Sequence, residues 1–527
     1  MHVRGVRRWL IGLAVSAGLG CASISHAANE TAPMMQYLGY TKLWQTYGAA
    51  LADGSNVSVA LDEANGYPVL NDGRFADKTL TLTYTGTTSG DSHATNVGAK
   101  FFGNDTGFSQ RSVAPHLGAT AGGSSVQLYT ASQFTGAYLL NPGSPAPYGS
   151  QNNARVASHA YSISDYSLSF ITRLDYIQQR DDFMQVVGNN FYGSMGDSFN
   201  SIVVVSTDGA VNSGGSLVKT DAIGTGTPYT AGRVSPTVTG PYSGSPSDAI
   251  GQVAGIVGLL VSRGKTTSSN YSYTTATTTA VTAPYTGSNF STFTKPGYTV
   301  TSGDTSEVVK AALMAGALRN VSTYTNGGVT VNGITNYRVG AANQTANGLD
   351  YRWGAGMANA YNSYQIINAG EQDSSEDKGS TSNVGFNGFD YDPHFGGANG
   401  SNNSATYFLR TNFTGTLTAS LVWNVKINGG TTSFDPTATL YNLSLTLIDT
   451  ADGSIVQQSA SLVDNTQNLW TNVLGNHNYE LLVGTTSPNF DWDYGLAWQF
   501  TPAPEPGSIA LIGVGATLLL HRRRRQS

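Results

Sequence analysis

The chain has 527 residues, a formal net charge of −6 and only 11% charged residues, less than half the roughly 25% of an average soluble domain. That length is enough for two or three domains and a sizeable core. The acidic balance argues against a nucleic-acid partner, because phosphate binding needs a basic face. Gly, Ser, Thr and Asn supply the polar surface, and abundant Thr, Val and Tyr favour strands.

In chain order, the first feature is an export signal. Arg4, Arg7 and Arg8 precede the apolar run Trp9 to Leu19, and Ser25-His26-Ala27 is a small-residue cleavage site, so residues 1–27 are expected to be removed. The single cysteine, Cys21, falls inside that signal. The mature chain then has no disulfide, no cysteine nucleophile and no thiolate metal site.

Residues 28–370 alternate strand-like and helix-like patches, which predicts an α/β domain. NVSVALD (56–62) alternates Val57, Val59 and Leu61 as a strand does, while DFMQVVGNN (182–190) and SIVVVST (201–207) read as strands buried on both faces. SPSDAIGQVAGIVGLLVS opens on serines and then places Ile250, Val253, Ala254, Val257 and Leu260 at helical spacing. Residues 265–303, rich in Thr, Ser and Tyr, are an insertion, and SEVVKAALMAGAL (306–318) is again helical. The polar run EQDSSEDKGS then leads into short alternating strands separated by turns, so residues 371–500 are expected to form an all-β sandwich.

The chain ends with Pro504-Glu505-Pro506, the 13-residue apolar run Ser508 to Leu520, and four arginines. The run is short for a spanning helix, which needs about 20 residues. In this order the three elements of residues 501–527 resemble the PEP-CTERM sorting signal of Gram-negative bacteria. The resemblance implies transient membrane contact through the tail, recognition by exosortase-type sorting machinery, and an exported protein of the cell envelope or the extracellular space.

Ser247 opens an apolar helix, whose N-terminus carries unpaired N–H groups and the positive end of a dipole. It is either an N-cap or a nucleophile beside a ready oxyanion site. Asp62 ends a strand, where sites form in α/β sheets, and His93 precedes a helix of small residues. Asp62, His93 and Ser247 stand in one of the known chain orders of a Ser-His-Asp triad.

VSVALDEANG, SHATNVGAKFFGN and SPSDAIGQVAGIVG resemble, in order, the Asp, His and Ser segments of the subtilases, and VVGNN resembles their oxyanion segment. The resemblance implies a subtilisin-like, mostly parallel sheet with helices on both faces, followed by the β-sandwich. It implies a serine endopeptidase acting on protein or peptide substrates, with Ser247 as nucleophile, His93 as base, Asp62 as orienting acid and Asn189 as oxyanion donor. Ala94 stands where the family has Gly, Asn96 where it has His, Ser245-Pro246 where it has Gly-Thr, and Gly251 where it has Pro. Pro246 fixes φ and lacks an N–H. Ser243 and Ser245 therefore compete for the nucleophile's place, and a catalytically inert envelope or matrix binding protein is the alternative reading. No cofactor is required for this chemistry. No histidine pair has zinc-ligand spacing, whereas the resemblance admits structural calcium, for which FDYDPHFGG offers Asp390 and Asp392.

Overall fold

The computed structural model describes residues 33–503 apart from 65, 83–89, 105–111, 138–152, 162–167, 189–194, 208–228, 230–232, 234–235, 243–244, 268–269, 282–292, 296, 327–328, 431–432 and 488. The expected export signal (1–27), residues 504–527 of the expected sorting signal, Asn189 and Ser243 lie outside the described residues. No helix among those described is long and apolar enough to cross a membrane.

The first part of the chain builds a seven-stranded sheet around β1 (Ser58–Glu63). β2 (Leu80–Leu82) and β3 (Val126–Thr130) lie to one side of it. β4 (Ala154–His159), β5 (Met184–Gly188), β6 (Ile202–Ser206) and β7 (Val238–Gly240) follow on the other, giving the order β2-β3-β1-β4-β5-β6-β7. Every pairing is parallel. Parallel strands require crossovers that cover both faces.

One face is covered by α2 (Ser92–Phe102) and α4 (Pro246–Gly264), with α1 (Tyr40–Tyr47), α5 (Ser306–Ala315) and α6 (Ala360–Asn368) completing that layer. The other face is covered by α3 (Leu168–Asp181), whose Ile171, Leu174 and Ile177 pack on Ala60, Ala157 and Val187. The expected α/β architecture with helices on both faces is therefore present. α4 has no polar side, and 16 of its residues are buried, because it runs through the centre of its layer. Its glycines permit this: a Cβ on Gly251 would stand 2.8 Å from the Val97 carbonyl oxygen of α2, and one on Gly258 would stand 2.6 Å from Leu117.

The insertion forms short antiparallel pairs, 272–274 with 299–301 and 278–281 with 293–295. Beyond α6 the chain builds two four-stranded antiparallel sheets. The strands are β8 (Asn387–Phe395), β9 (Ser404–Thr411), β10 (Gly415–Val422), the hairpin β11 (Lys426–Gly429) and β12 (Asp435–Thr439), β13 (Leu443–Asp449), β14 (Ser454–Ser459), β15 (Thr466–Val473), β16 (His477–Thr485) and β17 (Trp492–Pro502). The sheets run β8-β17-β10-β15 and β9-β16-β13-β14, and they enclose one core containing Tyr407, Leu421, Leu445, Leu481 and Trp498. This is the expected sandwich.

The first sandwich sheet is buried on its outer face as well, where Phe389, Tyr391, Val422 and Ala497 join the core under α5 and α6. Polar groups at the joint are paired as burial requires. The Val425 N–H donates to Asn200 Oδ1 at 2.8 Å, and Asn465 Nδ2 donates to the Phe199 carbonyl at 3.0 Å.

Candidate active site

The site is built at the carboxyl end of β1. Successive side chains of a strand point to opposite faces. Val59 and Leu61 enter the core under α2 and α4, and Ala60 enters the core under α3. Glu63 continues the Leu61 side, and Asp62 continues the Ala60 side.

Glu63 therefore meets the helix that carries the histidine. Its Oε2 lies 3.0 Å from His93 Nδ1. His93 sits in the first turn of α2, whose N-cap is Asp91; Asp91 Oδ1 accepts from the Ala94 N–H at 2.7 Å. Glu63 is 1% exposed, and burial pushes its carboxyl above the usual range. The hydrogen bond that His93 donates to Glu63 raises its imidazole above the ordinary value. The His93 side chain is 43% exposed, so its outer edge is open to solvent.

Asp62, the acid expected to orient His93, does not touch it. Its Oδ2 lies 2.9 Å from His159 Nδ1 and accepts from the Tyr161 hydroxyl at 2.5 Å. His159 Nε2 in turn faces Gln185 Oε1 at 2.8 Å, and the ring stands edge-on to Phe134. Asp62, His159 and Gln185 are at most 1% exposed, on the face opposite His93. The one-residue displacement has a simple cause: a strand has period two, so a shift of one position changes face. The Val57, Val59, Leu61 alternation continues to Glu63, two residues on, whereas the motif resemblance points to Asp62. His159, at the end of the strand ARVASH, has no neighbouring motif to mark it.

Ser247 occupies the first turn of α4. Ser245 is the N-cap with extended φ, Pro246 takes the first helical position, where a missing N–H is harmless, and Ser245 Oγ accepts from the Ser247 N–H at 3.3 Å. Ser245 is thus engaged as the cap. Ser247 Oγ donates to the Ala160 carbonyl at 3.0 Å, and no hydrogen bond joins it to His93. The last turn of α2 is tied to the first turn of α4 by Lys100 Nζ and Asp248 Oδ1 at 3.2 Å, a pair that is nearly fully buried. Asp62 also bears on the serine indirectly. It holds His159 and Tyr161, the residues on either side of the carbonyl that receives Ser247.

The arrangement offers a carboxylate–imidazole pair at the carboxyl edge of a parallel sheet, with a hydroxyl at the amino end of a buried helix. These are the parts of an activated nucleophile. Among the described residues, carboxylates spaced for a metal ion lie elsewhere, at Glu371, Asp373 and Asp390.

No family model matches the chain, and no curated protein matches it. Among solved structures, the prenylagaramide maturation protease PagA is 12% identical and covers 62% of this chain and 98% of its own, with a TM-score of 0.33. The patellamide maturation protease PatA is 11% identical, covering 60% and 99%, with a TM-score of 0.31. The MycP3 protease of the type VII (ESX-3) secretion system is 13% identical, covering 63% and 87%, also at 0.31.

Proposed function

We propose that this chain is an exported serine endopeptidase in which Ser247 is the nucleophile, His93 the general base and Glu63 the acid that orients the base. The observation that carries the reading is the 3.0 Å contact between Glu63 Oε2 and His93 Nδ1 at the carboxyl end of β1, an inner strand of the sheet. A carboxylate on Nδ1 keeps the proton there and leaves Nε2 with the lone pair.

In this reading a bound peptide draws Ser247 Oγ from the Ala160 carbonyl to His93 Nε2, since catalytic hydrogen bonds commonly tighten only with substrate. Oγ attacks the scissile carbonyl while His93 takes its proton. His93 then delivers that proton to the leaving amine, and water, activated by the same imidazole, cleaves the acyl ester. Asn189 is the proposed donor to the oxyanion, worth roughly 3–4 kcal/mol of transition-state stabilisation. Export by residues 1–27 and sorting through residues 501–527 belong to the same proposal.

One observation favours a second reading, an inert binding protein of the envelope or matrix: the Ser247 hydroxyl is bound to Ala160 and not to His93. A fluorophosphonate probe on the wild type and on Ser247→Ala separates the two. Labelling lost in the variant supports the peptidase. Labelling that persists moves the nucleophile to Ser243 or Ser245. Absence of labelling on folded protein gives the second reading the lead.

A further inference from the structure

β8 carries Asp390 and Asp392 two positions apart, hence on one face of the strand. The segment just after α6 carries Glu371 and Asp373 with the same spacing. It runs parallel to the start of β8, where Glu371 pairs with Phe389 and the Gln372 N–H donates to the Phe389 carbonyl at 2.8 Å. The two acidic pairs thereby line one pocket of about 460 Å³.

One carboxylate oxygen from each of Glu371, Asp373 and Asp390 lies within 4.8 Å of the others. A calcium ion holds its oxygens at about 2.3–2.6 Å, so opposed ligands stand about 5 Å apart. Asp392 adds an independent sign. It is 5% exposed and lines the same pocket; its Oδ1 accepts from the His394 N–H at 2.9 Å, while its Oδ2 is buried with no partner. A buried, unbonded carboxylate oxygen is costly unless something positive reaches it. Among the described residues no lysine or arginine lines the pocket.

We propose that Glu371, Asp373, Asp390 and Asp392 bind a calcium ion at the joint between the α/β domain and the sandwich. An all-oxygen donor set selects a hard cation, and a cluster supplying several carboxylates suits calcium better than magnesium, which keeps most of its water. The ion supplies the partner that the buried Asp392 Oδ2 lacks. It also fixes the base of the insertion, because Asn270 holds both linker acids: its N–H donates to Glu371 Oε2 at 2.8 Å and its Nδ2 to Asp373 Oδ1 at 2.7 Å. The proposal stands independently of the peptidase reading.

The test uses purified protein stripped with EDTA. Calcium is titrated by calorimetry, and terbium by its emission, which Tyr271 and Tyr391 in the pocket wall would sensitise. The expected result is one calcium per chain at this site and a higher melting temperature with calcium. Asp392→Asn and Glu371→Gln should each weaken binding on the order of tenfold or more. Asp452→Asn, on the exposed turn between β13 and β14, should leave it unchanged. Circular dichroism checks folding; should Asp392→Asn fail to fold, Glu371→Gln decides. The assignment is overturned if folded, stripped protein takes up no calcium, if both pocket variants bind as the wild type does, or if magnesium binds more tightly.

Discussion

Asp62 and Glu63 are neighbours in the chain and serve opposite faces of the same sheet. Glu63 Oε2 meets His93 Nδ1 at 3.0 Å under α2, and Asp62 Oδ2 meets His159 Nδ1 at 2.9 Å on the other side. Glu63→Gln should therefore cut the rate of fluorophosphonate labelling of Ser247 on the order of 10⁴-fold, as loss of an orienting carboxylate does in a Ser-His-Asp triad. Asp62→Asn should leave the pH dependence of labelling in place. A larger effect at Asp62 than at Glu63 would reverse the assignment.

The pH profile follows from the same pair. His93 acts as a base only when neutral, and the Glu63 hydrogen bond raises its pKa. The acid limb of labelling should lie above the ordinary imidazole value of about 6.5. Glu63→Gln removes the cause and should move the limb down. A limb that does not move would remove Glu63 from the role.

The buried Asp62–His159 pair is expected to matter for stability first. Asp62→Ala strands His159 and the Tyr161 hydroxyl, and breaking a buried pair from one side costs about 3–5 kcal/mol. Urea unfolding measures this loss. Because the two residues flank Ala160, whose carbonyl holds Ser247, labelling should fall even under conditions where the variant remains folded.

The contact between α2 and α4 is tight enough to test by a single methyl group. Gly251→Ala puts a Cβ 2.8 Å from the Val97 carbonyl oxygen, a backbone atom that cannot swing away. Overpacking of this kind costs about 1–3 kcal/mol. A lower melting temperature and slower labelling are expected together, since the same helices carry Ser247 and His93. An unchanged melting temperature would show that the helices separate freely.

Lys310 gives a pH dependence of stability. Its Nζ donates to the carbonyls of Phe199, Asn200 and Ser201, and burial pulls its pKa down to about 7. The unfolded chain then holds this proton between about pH 7 and pH 10 while the folded chain does not, so this group's contribution to stability rises with pH across that window. Lys310→Met should flatten that slope in urea unfolding measured from about pH 7 to about pH 10. An unaltered slope would mean that another group sets it.

Much of the architecture was legible along the chain because it rests on local periodicity. The β-branched run at 202–206, the helical spacing from Ile250 to Leu260 and the alternation at 443–449 each name their own element. β15 and the β11–β12 hairpin are not legible in this way, since TQNLWTNV and KING carry weak patterns whose burial comes from partners far away in sequence. His93 and Ser247 were singled out by their places at helix starts. The motif resemblance points to Asp62 as the orienting acid, whereas the strand's period of two puts Glu63 on the histidine's side of the sheet.

By itself, then, the sequence determined the kinds of element, their order and the face that each residue of a strand or helix presents, because these follow from repeats of two and 3.6 residues. Only the tertiary structure decided which groups meet: Glu63 with His93, Asp62 with His159, Ser247 with Ala160, and the acids at 371 and 373 with those at 390 and 392. Such meetings depend on which strand lies beside which and where each helix crosses it, and those are properties of segments tens to hundreds of residues apart.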